Sequence, residues 1–161
     1  MAWIKSTIGS GGNYSTISAW LAAVGGGAAG DKEAELISDI SDAFTVSSIT
    51  AGTNLWIHSA SGHRYKITAT AAQMMYINQT TNALSVLVED VEFDANGTGA
   101  DSAWYIRRLT GPFTARRCIL RNGTSYGIDI ENAALANTPD VTLENCLIYG
   151  FSSEGIYCNF A

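Results

Sequence analysis

Asp129 and Glu131, in "GIDIE", are the residues whose types and spacing best fit acid–base chemistry. Side chains alternate between the faces of a strand, so residues two apart share a face, roughly 6–7 Å from one another. That lies close to the separations used in glycoside hydrolysis, about 5–5.5 Å for retention and 6.5–9.5 Å for inversion. Glu154 would join the pair if the chain returned to the same place one repeat later. The competing reading is a solvated acidic face, since the 161 residues carry 15 acidic and 9 basic side chains, a net charge of −6.

Five of the nine basic residues fall between Arg107 and Arg121: Arg107, Arg108, Arg116, Arg117 and Arg121. Guanidinium forks match phosphate, sulfate or carboxylate, but they could equally pair with acidic rows on neighbouring segments. Trp56, Trp104, Tyr105, Tyr126, Tyr149 and Tyr157 could stack on sugar rings, or form a subunit interface, where aromatic residues are enriched. The candidate binding set is therefore Trp104, Tyr105, Arg107, Arg108, Tyr126 and Tyr157.

Other chemistries find less support. Cys118, Cys146 and Cys158 are odd in number, which does not suit a disulfide framework, and read as apolar thiols. No CxxC or His/Cys spacing points to a metal, and no cofactor is expected. The negative charge disfavours nucleic acid as a partner. No run of about 18 apolar residues predicts a membrane span, and "MAWIKSTIGSGG" does not read as a secretory signal. The triplets at Asn96 and Asn122 ("NGT") read as turns and not as glycosylation acceptors.

The elements that must carry these residues are set by a repeat. "VLVEDVEF", "FTARRCIL" and "VTLENCLI" align on Val91, Cys118 and Cys146, at steps of 27 and 28 residues. A second series, "MYI", "WYI", "IDI" and "IYC", aligns through Ile77, Ile106, Ile130 and Cys158 at steps of 29, 24 and 28. Two strand series with about the same step predict a solenoid, in which each repeat stacks on its neighbour. The alignment places Glu89, Arg116 and Glu144 in one column and Asp90, Arg117 and Asn145 in the next. Opposite charges then lie opposite one another, as correct register requires. Val88/Ala115/Leu143, Val91/Cys118/Cys146 and Phe93/Leu120/Ile148 become inward apolar columns, with Asn145 at a bend.

Ahead of the repeats, Ile17, Trp20, Leu21 and Val24 follow i, i+3, i+4, i+7. With Ser15, Thr16 or Ser18 as N-cap and a glycine stop at 25–27, they predict one short amphipathic helix. The chain divides into an N-terminal strand and capping helix, 1–30, and coils over 31–161.

"LENCLIYG" and the Gly-rich entry "GSGGNYSTISAWLAAV" (9–24) resemble the coil signature and opening of right-handed parallel β-helices of the pectate-lyase-like class. The resemblance implies an all-β, right-handed parallel β-helix with a short N-terminal capping helix. It does not bring a catalytic set with it: the Asn-Thr-Asp and Asp-Asp strings of polygalacturonase-like enzymes are absent. Asp129, Glu131 and Glu154 lack the neighbours of the pectin-esterase set. Asp90, Glu92 and Asp94 with the nearby arginines match no pectate-lyase motif.

The reading that follows is a structural component of a bacteriophage virion, a spike, fibre or capsid decoration module, with enzymatic activity not favoured. The apolar final stretch "GIYCNFA" suggests either a fragment of a longer chain or an edge covered by another chain or subunit. Self-association as a homotrimer, other virion proteins and a host surface glycan are the expected partners. Synthesis in a host cytoplasm and residence on the virion fit the reduced-looking cysteines. The alternative is a polysaccharide-degrading enzyme or a glycan-binding adhesin module.

Overall fold

The computed structural model describes residues 3–25, 30–47, 49, 54–79, 83–96, 101–131 and 140–159. It is a parallel β-solenoid of about five turns. The first face stacks β1 (Trp3–Ile8), β2 (Asp31–Leu36), β5 (Asn54–Ser59), β8 (Ser85–Glu89), β11 (Phe113–Arg116) and β14 (Val141–Glu144). The second stacks β3 (Ile40–Asp42), β6 (Tyr65–Ala69), β9 (Val91–Asp94), β12 (Ile119–Arg121) and β15 (Leu147–Tyr149). The third stacks β4 (Phe44–Val46), β7 (Gln73–Asn78), β10 (Ser102–Arg108), β13 (Tyr126–Glu131) and β16 (Ile156–Asn159).

Register follows the columns expected from sequence. Glu89, Arg116 and Glu144 are successive partners on the first face, and Phe93, Leu120 and Ile148 on the second. Ile77, Ile106, Ile130 and Cys158 are successive partners on the third face. Leu55, Val86 and Phe113, Ile57, Val88 and Ala115, and Met75, Trp104 and Ile128 fill the interior as stacked rows. Each row buries the side chains of one coil against the next. Fully burying one such side chain contributes roughly 1.5–3 kcal/mol.

The long apolar phrases of the sequence are not single strands. "LSVLVEDVEF" breaks at Asp90, and "VTLENCLIY" breaks at Asn145. Asp90, Arg117 and Asn145 have φ of 55°, 53° and 54°. One left-handed residue turns the chain from the first face to the second. The residue after it, Val91, Cys118 or Cys146, then points inward. Asn tolerates this backbone region because its short polar side chain bonds locally. Asp90 and Arg117 adopt it one above the other, held by charge.

The predicted helix is α1 (Ile17–Val24), with Thr16 as N-cap and Gly25 as C-cap. Ile17, Trp20 and Val24 are buried. The Asp42 carboxylate accepts from the Ser18 amide (2.9 Å) and the Ser18 hydroxyl (2.7 Å), which fastens the first turn of the helix to the first complete coil. An eight-residue helix is marginal in isolation; packing on the stack makes it persist. Residues 26–27 of the expected glycine stop, 97–98 of one "NGT" turn and 160–161 of the final stretch lie outside the described residues.

Candidate functional site

The third face presents its candidate residues by strand alternation. Trp104, Ile106, Ile128 and Ile130 point inward and are buried, so Tyr105, Asp129 and Glu131 point outward. Register then makes an outer column of Thr45, Tyr76, Tyr105, Asp129 and Tyr157. Tyr76 and Tyr105 stack with centroids 5.1 Å apart and planes 12° from parallel. Tyr126 and Tyr157 stack at 4.7 Å and 16°. Asp129 is the short side chain between the two tyrosine pairs.

Asp129 is only 9% exposed. Its Oδ1 has no hydrogen-bond partner among the described residues. Burial, reinforced by the nearby Glu131 carboxylate, pushes the Asp129 carboxyl up to about 6. An acid raised in this way can hold a proton near neutrality and deliver it. Glu131 accepts from the Tyr105 hydroxyl across one coil step. Burial, then that bond, holds the Tyr105 hydroxyl protonated well beyond its usual range.

Arg107 lies at the irregularity in the pairing of β10 with β7, between Ile106 and Arg108. A hydrogen bond with Tyr76 raises its already high pKa. The Nε atoms of Arg107 and Arg108 have no partner among the described residues. The face therefore combines two carboxylates, four tyrosine rings and arginine donors, a set able to bind hydroxyl-rich rings.

Two expected members stand elsewhere. Trp104 is fully buried, edge-on to Phe93 at 5.2 Å and Phe113 at 5.3 Å, and forms core instead of surface. It sits two residues before Ile106 and shares its inward direction. Glu154 lies in the turn ahead of β16, where its carbonyl accepts from the Gly127 amide at 3.1 Å. Since Ile156 pairs with Ile128, Glu154 falls opposite Tyr126, roughly 10 Å along the strand from Asp129 at about 3.3 Å per residue. Its backbone is therefore offset along the strand from the Asp129–Glu131 pair.

The other arginines serve the stack. Arg116 bonds Glu144 at 2.8 Å and approaches Glu89 at 3.7 Å. Arg117 bonds Asp90 at 2.8 Å, and Arg121 bonds Glu92 at 2.7 Å and Asp94 at 2.9 Å. These are the acidic rows of adjacent coils. Trp56 lies on the first face, edge-on to Trp3, and Tyr149 on the second. The aromatics thus divide among three faces.

Tyr76 is the site residue that sequence reasoning missed. Its signal was present, because aligning "MYI" with "WYI" already sets Tyr76 opposite Tyr105. Among the described residues, no group of three or more His, Cys, Asp or Glu side chains is placed to hold a metal ion. Nor is any helix among them long and apolar enough to cross a membrane. No protein-family model, curated protein or solved structure matches the chain.

Proposed function

We propose that this solenoid is a structural module of a bacteriophage virion, a spike, fibre or decoration protein of the pectate-lyase-like β-helix type. In this reading it self-associates as a homotrimer beside other virion proteins and turns its third face toward a host surface glycan. The observation that carries the proposal is the outer column Tyr76–Tyr105–Asp129–Tyr157, mounted on a stack that ion pairs lock in register. Rigid aromatic rings at a fixed coil step suit repeated C–H contacts with a sugar polymer, and carboxylates and Arg107 suit its hydroxyls. Solution mass by light scattering, with and without reductant, is the first test. A trimer in both conditions is expected; a well-behaved monomer overturns the assembly.

A second reading, hydrolysis of the bound polysaccharide, is favoured by the raised Asp129 carboxyl next to Glu131. Asp129 would protonate the leaving oxygen and Glu131 would act as base or nucleophile. It requires that Asp129→Asn abolish release of reducing ends while the fold is kept. Release that continues unchanged removes this site.

A further inference from the structure

Cys118 and Cys146 stand on consecutive rungs of one inward column, at the corner between the first and second faces. The Arg117 amide donates to Glu144 O and the Leu147 amide to Cys118 O, both at 2.9 Å, which fixes the two cysteine backbones side by side. Adjacent strands lie about 4.8 Å apart, within the Cα separation of about 4.4–6.8 Å that a disulfide spans.

The two thiols also occupy the same seat, one coil apart. Cys118 Sγ lies 3.5 Å from Val88 O and 3.4 Å from Arg116 O. Cys146 Sγ lies 3.6 Å from Ala115 O and 3.5 Å from Glu144 O. Val88 and Ala115 are themselves partners in register, as are Arg116 and Glu144. Both cysteines are free, Cys118 buried and Cys146 half-buried. Coupling between the two neighbouring thiols draws Cys146 below the ordinary thiol range, while the same coupling and burial push Cys118 up.

We propose that Cys118 and Cys146 are a covalent staple site, oxidised to an inter-coil disulfide by exchange with a small-molecule disulfide of the glutathione class. The Cys146 thiolate attacks one sulfur of that disulfide, forms a mixed disulfide and expels one thiolate, which takes up a proton. Cys118, its proton passing to the departing thiolate, then attacks Cys146 Sγ and expels the second thiol. The two cysteines lose two electrons together, and one small disulfide is reduced to two thiols. The product ties the fourth coil to the fifth. This chemistry does not depend on the virion reading, but it suits a chain that folds among reductants and later meets an oxidising exterior.

The test uses the full chain carrying Cys158→Ser, equilibrated in glutathione buffers of stepped ratio, acid-quenched, alkylated and weighed. The expected product has lost two hydrogens, and digestion joins the Cys118 peptide to the Cys146 peptide. Slower hydrogen exchange at the Leu147 amide should accompany it. Two alkylatable thiols at every ratio with the β signal intact overturn the proposal. So does glutathione that remains on Cys146. If Cys158→Ser fails to fold, the wild-type chain is mapped instead, and a Cys146–Cys158 link there overturns it equally. In Cys118→Ala, the first step must stop at the mixed disulfide on Cys146; its absence overturns the order of attack.

Discussion

Arg117 grips Asp90 with two parallel bonds, Nε to Oδ1 at 2.9 Å and Nη2 to Oδ2 at 2.8 Å, across one coil step. Both residues have left-handed backbones, and both stand at the corner between the first and second faces. Charge here accompanies a conformation that Asp tolerates and Arg does not favour alone. The Arg117 fork holds the Asp90 carboxyl below its usual 3.8.

That shift sets a pH dependence. A carboxyl with a lowered folded pKa contributes stability that is present above pH 3.8 and is lost as pH falls through the folded value. Asp90→Asn should therefore lower the urea midpoint at neutral pH, with the difference from wild type vanishing in acid. The pair is exposed, so high salt should also shrink the gap. Equal midpoints at neutral pH and low salt would show that the bridge contributes nothing.

The corner geometry makes a separate claim. Asn145 has φ of 54° and an exposed side chain. Asn145→Gly should be nearly neutral. Asn145→Val should cost about 1–2 kcal/mol, since a β-branched residue is poorly housed in the left-handed region. Urea unfolding of the two variants decides it, and equal losses would place the origin in lost side-chain contacts.

Trp104 separates packing from recognition. Its ring fills the interior between Phe93 and Phe113, so Trp104→Ala should destabilise by about 3–5 kcal/mol. Tyr105→Ala, on the outer face, should cost much less stability, and on the proposed glycan-binding reading it should weaken binding. Thermal melts and a binding isotherm on immobilised polysaccharide measure both. A Trp104→Ala variant with wild-type stability would contradict its buried position.

Asp129 gives the opposite sign to Asp90. Its folded pKa is raised from 3.8 to about 6, so the folded chain holds the proton more tightly. The stability this contributes is complete below pH 3.8 and is lost as pH rises to about 6. Asp129→Asn should flatten that decline and be the more stable chain above the window. Urea midpoints on either side of the window test it. A wild-type midpoint that rises across the window by the same amount as the variant's would show that Asp129 titrates normally.

The repeat was legible because its columns carry charge and size as well as hydropathy. Glu89, Arg116 and Glu144 mark register in a way that apolar residues alone cannot. The corner was only partly legible: Asn145 and Asp90 are residue types that tolerate a left-handed turn, whereas Arg117 adopts the same backbone while bonding Asp90, 27 residues away in the chain. Trp104 was misread as surface because "AWYI" is apolar at every position and hides its own alternation. Its parity becomes visible only through Ile106 and Ile130. Glu154 needed the register of β16, which a four-residue strand after a turn does not reveal.

The charge column Glu89–Arg116–Glu144 also constrains how such a chain can lengthen. Copying one coil in tandem sets like charge beside like charge at the copied rung. Copying two consecutive coils keeps the signs alternating. In register terms, the repeat of this column is a pair of coils, and an insertion of odd size would bring like charges together at one rung.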